Sequence, residues 1–303
     1  MPDDRKKKPK VIVVVGPTAS GKTKLGIKIA KQFNGEVISA DSRQVYAGLD
    51  IGSGKVTKEE MGGIPHHLLD VADPKGTYTV SDYVRDGRAA IADIVSRGKL
   101  PVIVGGTFFY IDALLGRILT PEVPPNPELR AKLEMMGTES LYTTLSSLDE
   151  ERALELDPQN KRRLIRALEI VETLGKVPKQ EPEELYDVLT TGIEVTKEGL
   201  HQNIHDRLYG RLNDGMIEEV ESLLKDGVPA ERMEELGLEY RYISRYLSGH
   251  MEKEAMLEEL ETKTRQFAKR QMTWLKRDKT IIWIAGDNLT EDASELVQSF
   301  LNT

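Results

Sequence analysis

The sequence predicts an α/β fold, a parallel sheet with helices on both faces that carries an inserted all-helical domain. Three observations predict it. Short, nearly continuous apolar runs rich in β-branched residues alternate with stretches of helical length, the pattern of strands buried on both faces. The first run, Val11-Ile12-Val13-Val14-Val15, leads straight into Gly16-Pro17-Thr18-Ala19-Ser20-Gly21-Lys22-Thr23. That is a phosphate loop between a strand and a helix, so the sheet is expected to be of P-loop type. Finally, the alternation breaks between Leu119 and about Glu184, where prolines bracket a segment with helical periodicity and no strand.

In chain order, the strand at 11–15 is followed by the loop, where Gly16 and Gly21 permit backbone conformations that turn N–H groups inward around phosphate oxygens. Lys22 adds a point charge, Thr23 can offer its hydroxyl to Mg2+, and the N-terminus of the helix at 22–33 favours an anion. A second strand, 36–40, ends in Asp41-Ser42-Arg43-Gln44. Asp41 beside the phosphate loop is a candidate Mg2+ ligand, general base or cap. His66 and His67 lie in Ile-Pro-His-His-Leu-Leu-Asp; adjacent side chains of an extended segment point to opposite sides, which suits structural or loop roles better than chelation. After a helix at 81–97, the strand at 101–104 ends in Gly105-Gly106-Thr107. Phosphate-loop ATPases commonly place a metal-holding aspartate at such a point; here two glycines admit a ligand close to the backbone, with the Thr107 hydroxyl next. Phe108-Phe109-Tyr110 could stack on a base or pack the core.

Pro121, Pro124, Pro125 and Pro127 open the insertion, and Pro178 and Pro182 close it. Inside it, 128–136, 140–156 and 160–174 have helical periodicity. The strand pattern resumes at 188–195 and 280–285, separated by helices at 200–226 and 252–277. The expected division is a catalytic core of 1–120 and 185–303 with a helical insertion domain at 121–184. Ligands of such sheets sit beyond the carboxyl ends of the strands.

Composition narrows the function. At 303 residues, with 39% hydrophobic and 30% charged residues, the chain has the make-up of a globular protein with a large core. No apolar stretch approaches the ~20 residues of a membrane helix. The basic N-terminal tail Met-Pro-Asp-Asp-Arg-Lys-Lys-Lys lacks the apolar core of a signal peptide and is expected to be disordered. Without cysteine there is no disulfide and no thiolate metal site. These features favour the cytoplasm. A net charge of −8 argues against indiscriminate nucleic-acid binding. Two clusters run the other way: Lys263, Arg265, Lys269, Arg270, Lys276 and Arg277 in the acid-free stretch 262–277, and Lys-Arg-Arg-Leu-Ile-Arg at 161–166. Each is either a solvated helix face or a surface for a polyanion. From the loop and charge alone, a small-metabolite kinase with ATP in the loop and a nucleic-acid-binding module both remain open.

The motifs together resemble those of the tRNA dimethylallyltransferases, also called tRNA isopentenyltransferases. They are the loop at 16–23, Asp-Ser-Arg-Gln-Val-Tyr at 41–46, Asp-Ile-Gly-Ser-Gly-Lys at 50–55, Pro-His-His-Leu-Leu-Asp at 65–70 and Val-Gly-Gly-Thr-Phe-Phe-Tyr at 104–110. Lys-Arg-Arg-Leu-Ile-Arg-Ala-Leu-Glu at 161–169 and Thr-Arg-Gln-Phe-Ala-Lys-Arg-Gln-Met-Thr-Trp-Leu-Lys-Arg at 264–277 complete the set. The chain departs from the family's usual Ile-Gly-Tyr-Arg with Leu-Gly-Leu-Glu-Tyr-Arg at 236–241, which bears on the local loop geometry.

The resemblance implies prenyl transfer from dimethylallyl diphosphate to the exocyclic amine of the adenosine 3′-adjacent to the anticodon in tRNA, with release of diphosphate and with Mg2+ as cofactor. It implies that Gly16 to Thr23 bind the diphosphate, that Asp41 is the general base, and that Thr107 and Arg207 serve the diphosphate and reacting centre. For Arg207 the alternative is a surface pair with Asp206 or Asp214. The acceptor base would be flipped out of its stack and met by Asp41, Ser42, Arg43, Gln44 and Thr107. Arg130, Arg162, Arg163, Leu164, Ile165 and Arg166 of the insertion would hold the anticodon stem-loop. No membrane partner is implied, and a monomer is expected.

Overall fold

The structure is a computed structural model that describes residues 8–118, 121, 123–179 and 183–303. The expected disordered tail, apart from Lys8, and Leu119 and Pro182 of the insertion boundaries lie outside the described residues. Two compact units emerge, Met1–Arg117 with Glu184–Thr303, and Ile118–Glu183.

The larger unit begins with β1 (Lys10–Val15), α1 (Lys22–Gln32), β2 (Gly35–Ala40), α2 (Lys58–Met61), β3 (His66–His67), α3 (Val80–Ser96), β4 (Leu100–Gly105) and α4 (Phe108–Leu114). The smaller unit contributes α5 (Pro127–Glu134), α6 (Thr138–Leu148), α7 (Glu150–Leu154) and α8 (Lys161–Leu174). The larger unit resumes with β5 (Asp187–Ile193), α9 (Lys197–Asn213), α10 (Met216–Lys225), α11 (Ala230–Leu236), α12 (Leu238–Leu247), α13 (Lys253–Leu275), β6 (Ile282–Ile284) and α14 (Leu289–Leu301).

The six strands form one parallel sheet in the order β3-β2-β4-β1-β5-β6. Side chains alternate between its faces with the period of two that a strand imposes. Val11, Val13 and Val15 join Ile38 and Ile103 against Tyr83, Ile91 and Ile94 of α3 and Leu114 of α4. Ile12 and Val14 join Val37, Val102 and Val104 against Leu25 and Ile29 of α1 and Ala293 and Val297 of α14. Both faces are covered, which explains why the strands read as continuous apolar runs. The register sets Val15 beside Gly105 and Gly192, and Ala40 beside Gly105. Four strand ends are therefore level, and the loops that follow them start from one edge.

The edge strand β3 is two residues long and was not expected as a strand. His66 and His67 pair with Val37 and Ile38, and the imidazoles have structural partners, His66 Nδ1 on the Ile64 carbonyl at 2.8 Å and His67 Nε2 on Glu36 at 2.8 Å. The single helix expected over 200–226 is two, α9 and α10, broken at Gly215 with φ +97°. Helices α9 to α13 build a further core with Val45, Tyr46 and Leu49, centred on Leu208, Met216, Val220, Tyr240, Met256 and Leu260.

The smaller unit is all helical among its described residues. Asn126, Asp149 and Asn160 cap α5, α7 and α8, and Leu133, Leu141, Leu145, Leu164, Ile165 and Leu168 fill its core. This corrects the expectation for Leu164 and Ile165. Their side chains are 0% and 4% exposed because they lie on the apolar face of α8, so they stabilise the unit and offer no RNA surface. Arg130 and Arg166 are tied to a carboxylate of the same unit. Arg130 makes a two-pronged ion pair with the buried Glu169 at 2.7 and 2.7 Å, and Arg166 reaches the same carboxylate at 3.3 Å and the Val123 carbonyl at 2.8 Å. Burial alone would raise the Glu169 pKa, but these arginines and the Asn126 N–H hold it below the usual carboxylate range. Arg162 and Arg163 are exposed.

Glu169→Ala strips both guanidiniums and the Asn126 N–H of their acceptor. It should destabilise the smaller unit by about 2 kcal/mol and speed amide hydrogen exchange across α5 and α8. Exchange rates equal to wild type would mean that the cluster contributes nothing to stability.

Candidate active site

The site is assembled at the level carboxyl edge of the sheet. After β1 the chain turns through the phosphate loop. Gly21 takes a positive φ of +88° as expected, but the other left-handed residue is Ala19, φ +60°, and not Gly16. Gly16 is needed for space: a Cβ there would stand 2.6 Å from Ser20 Oγ. Gly21 caps α1 without a side chain, so the first N–H groups of that helix are left without a side-chain cap, the arrangement that suits an anion. Thr18, Lys22 and Thr23 line a cavity of about 610 Å3, while Gly16, Pro17, Ala19, Ser20 and Gly21 shape the loop behind them.

Among the described residues, six cations line this cavity, and three of them, Lys22, Arg207 and Arg211, interact electrostatically with one another. Arg207 and Arg211 sit four residues apart on α9, on one face, where like charges repel. Arg207 is not the surface partner of Asp206 or Asp214; its Nη1 lies 3.5 Å from Thr18 Oγ1. Arg211 donates to the Gly52 carbonyl at 3.0 Å and lies 3.5 Å from Glu239. Both guanidiniums lie against Gly54, φ +62°, where any side chain would overlap them. Burial, then Arg207 and more weakly Arg211, lower the Lys22 pKa to about 8 against the pull of Asp41. Burial and Arg211 lower Arg207 to about 10, and burial lowers Arg211. Cations held below their ordinary range mark a site that lacks negative charge.

The opposing chemistry comes from the ends of β2 and β4. Asp41 accepts the Arg43 N–H at 2.8 Å. Thr107 donates its N–H to the Ala40 carbonyl, and its hydroxyl oxygen accepts the Ser42 N–H, each at 3.0 Å. Asp41, Ser42, Arg43, Gln44 and Thr107 all line the cavity, but Gln44 is already engaged. Its amide takes the Ser39 hydroxyl at 3.0 Å and donates to the Gly54 carbonyl at 3.1 Å, which makes it a strut for the 50–55 loop. Arg130 and Arg162 to Arg166 belong to the smaller unit.

Several residues escaped sequence reasoning. Gln271 of α13 accepts the Thr18 N–H at 2.8 Å and donates to the Gly106 carbonyl at 3.1 Å, tying the phosphate loop to the end of β4. It stands in the quoted 264–277 motif, but spacing alone could not reveal this. Arg211 was legible only as a basic residue one helical turn after Arg207. On α13, Phe267, Arg270 and Trp274 form a stripe at helical spacing along the cavity, which Phe109 also lines. Phe109, Phe267 and Trp274 are 46%, 40% and 39% exposed, and the Arg270 guanidinium lies over Phe267 at 6.0 Å. A large exposed aromatic beside a cavity suits a planar or apolar ligand.

Among the described residues no three His, Cys, Asp or Glu side chains cluster as a metal site. Mg2+ needs few protein ligands when phosphate oxygens complete its shell, and the Thr23 hydroxyl and Asp41 line the cavity that would hold it.

Residues 44–278 match the family model described as IPP transferase. The chain is 41% identical over 92% of its length to a tRNA dimethylallyltransferase of Thermomicrobium roseum, covering 86% of that protein. It is 44% identical over 92% of its length to one of Exiguobacterium, covering 91% of that protein. The chain belongs to the tRNA dimethylallyltransferase family. A crystal structure of a tRNA isopentenylpyrophosphate transferase from Bacillus halodurans superposes with a TM-score of 0.74 at 33% identity, covering 98% of this chain and 97% of that one. A eukaryotic dimethylallyltransferase acting on tRNA superposes with a TM-score of 0.81 at 30% identity, covering 96% and 77%. Where this dimethylallyltransferase family member reads Leu-Gly-Leu-Glu-Tyr-Arg at 236–241, Gly237 adopts φ +141° between α11 and α12. The turn brings Glu239 to Arg211 and buries Tyr240.

Because the Lys22 pKa of about 8 is lower in the folded chain than in the unfolded one, the protonated lysine is disfavoured in the anion-free fold. That penalty is present below about pH 8 and is relieved as pH rises toward the unfolded value. A bound anion favours the protonated form. Inorganic diphosphate should therefore bind with proton uptake near pH 8, and its affinity should fall by up to ~10-fold per pH unit above that. Lys22→Arg should flatten this decline. Calorimetric titrations across this range in two buffers measure both effects; a pH-independent affinity with no proton uptake would contradict the assignment.

Proposed function

We propose that this chain transfers a dimethylallyl group from dimethylallyl diphosphate to the exocyclic amine of the adenosine next to the anticodon, on its 3′ side, in tRNA. The observation that carries this reading is the convergence of Lys22, Arg207 and Arg211, beside an uncapped helix N-terminus, on the cavity that also contains Asp41 and Thr107. Family membership supports a prenyl donor and a tRNA acceptor.

In this reaction the adenine nitrogen forms a bond to the allylic carbon as the carbon–oxygen bond to diphosphate breaks. The leaving diphosphate takes the bonding electrons, and the amine loses a proton. Lys22, Arg207, Arg211 and the first N–H groups of α1 meet the charge that grows on the diphosphate, and a prearranged site does so without reorganising. The Asp41 carboxylate takes the amine proton. The Thr107 oxygen accepts from Ser42, which leaves its proton free to donate to a substrate oxygen or ring nitrogen. The Thr23 hydroxyl would help hold Mg2+, which would supply further charge neutralisation. Phe109, Phe267 and Trp274 provide faces on which the dimethylallyl chain or a flipped base can rest. The exposed Arg162 and Arg163 of the smaller unit would grip the RNA backbone.

Incubation with tRNA, Mg2+ and dimethylallyl diphosphate, followed by nucleoside mass measurement, should yield an adenosine heavier by one dimethylallyl group. ATP-dependent phosphorylation of a small acceptor with no such product would replace this reading with a kinase. Asp41→Asn keeps size and removes the base, so turnover should fall ~100-fold or more with tRNA binding little changed. Equal turnover would remove Asp41 from the mechanism. Reversing charge at Arg162 and Arg163 should weaken all tRNAs alike and flatten the slope of affinity against salt by roughly one unit per lost contact. An unchanged slope would move the grip to the basic run at 263–277.

A further inference from the structure

The Asp50-Ile51-Gly52-Ser53-Gly54-Lys55 segment is outside the chemistry derived above, yet Gly52, Ser53 and Gly54 line the cavity. It is neither helix nor strand, and side chains from distant helices contribute much of what holds it. Glu219 of α10 accepts three consecutive backbone N–H groups, those of Asp50 at 2.9 Å, Ile51 at 2.6 Å and Gly52 at 3.0 Å. Tyr240 of α12 accepts the next one, Ser53 N–H at 3.0 Å, and donates its hydroxyl to Glu219 at 2.9 Å. Tyr240 is fully buried; burial and Glu219 push its pKa well above the usual phenol value, so it keeps that proton. Four successive N–H groups thus end on one carboxylate–phenol pair. Gly52 has no room for a side chain, since a Cβ would stand 2.8 Å from the Tyr240 ring.

The loop so fastened presents the Gly52 carbonyl to Arg211 Nη1 at 3.0 Å. Arg211 Nη2 is buried and has no partner among the described residues. One nitrogen of the guanidinium is anchored to that loop, and the other, packed against Gly54, has its hydrogen-bonding capacity unused.

We propose that Glu219 is a positioning residue of the diphosphate site: by gathering the N–H groups of Asp50, Ile51 and Gly52, it fixes the carbonyl that holds Arg211 toward the leaving group. The inference rests on the diphosphate reading above. A carboxylate is required because both of its oxygens accept; an amide of the same shape turns an NH2 group toward backbone donors. Glu219 is not among the residues that line the cavity and acts through the loop and Arg211.

The test is calorimetric binding of inorganic diphosphate to the full chain. Glu219→Gln should weaken it about tenfold, Glu219→Asp should recover part of the loss, and tRNA binding should stay within about twofold of wild type. Arg211→Lys should weaken diphosphate similarly. Adding Glu219→Gln to Arg211→Lys should then cost nothing more, because the two act on one contact. A merely structural Glu219 would lower the melting temperature and give additive losses. Diphosphate affinity of Glu219→Gln within about twofold of wild type, or full additivity with Arg211→Lys, would overturn the proposal. If Glu219→Gln does not fold, Tyr240→Phe is judged by the same criteria, with a smaller loss expected. Lys22→Ala is measured alongside. If it leaves diphosphate binding intact, the diphosphate reading fails; if it abolishes binding while the Glu219 variants do not weaken it, only the role of Glu219 fails.

Discussion

Positive charge gathered ahead of any ligand is the constraint on which this centre depends. Lys22, Arg207 and Arg211 share one cavity, two of them a single helical turn apart, with only Asp41 and Glu239 as acids along its lining. Such a cluster is unfavourable by itself, because burial and mutual repulsion both oppose the charged forms. Its surroundings hold it in place. Gly54 leaves room for two guanidiniums to lie on its backbone, Gln44 and Glu219 brace the loop that carries it, and Gln271 pins the phosphate loop. An anion of the right shape relieves the repulsion without any of these parts having to move.

The same chain shows what a satisfied basic cluster looks like. Arg130 and Arg166 close on buried Glu169, and Arg97, Lys99 and His67 close on buried Glu36. In both places each arginine and lysine meets a carboxylate within about 3.3 Å, and the Glu36 pKa is driven far below its ordinary value, first by the Arg97 hydrogen bond. These clusters tie their cations to a carboxylate buried in the fold. At the phosphate loop the balance is left open, and that difference separates a structural cluster from a binding site more sharply than residue type does.

The division of labour across the cavity follows from the sheet. Asp41 and Thr107 sit at the ends of two paired strands, cross-linked through Ala40 and Ser42, so both side chains are mounted on the edge of the sheet. The cations come from α1 and α9, and the aromatic faces from α4 and α13. Under the proposed reaction, a carboxylate at a strand end and cations on α1 and α9 would let one cavity oppose a nucleophile and a leaving group.

The sequence by itself determined the sheet, the phosphate loop, the helical insertion and the family, because each is written in local pattern. Apolar runs of strand length announce parallel strands, the spacing from Gly16 to Thr23 has one structural use after a strand, and the ordered motifs are specific together. Asp41, Thr107 and Lys22 were legible because they stand at strand or helix ends. Only the tertiary structure decided which basic residues are free to act. Arg130 and Arg166 look like Arg162 and Arg163 until the burial of Glu169 singles them out, and Leu164 and Ile165 lie within a basic motif but face inward. Gln271, Arg211, Glu219 and Tyr240 took on roles through contacts spanning 21 to 253 residues of chain. No local period encodes such contacts. They exist because packing α9 to α13 onto one core leaves these side chains nowhere else to satisfy their hydrogen bonds.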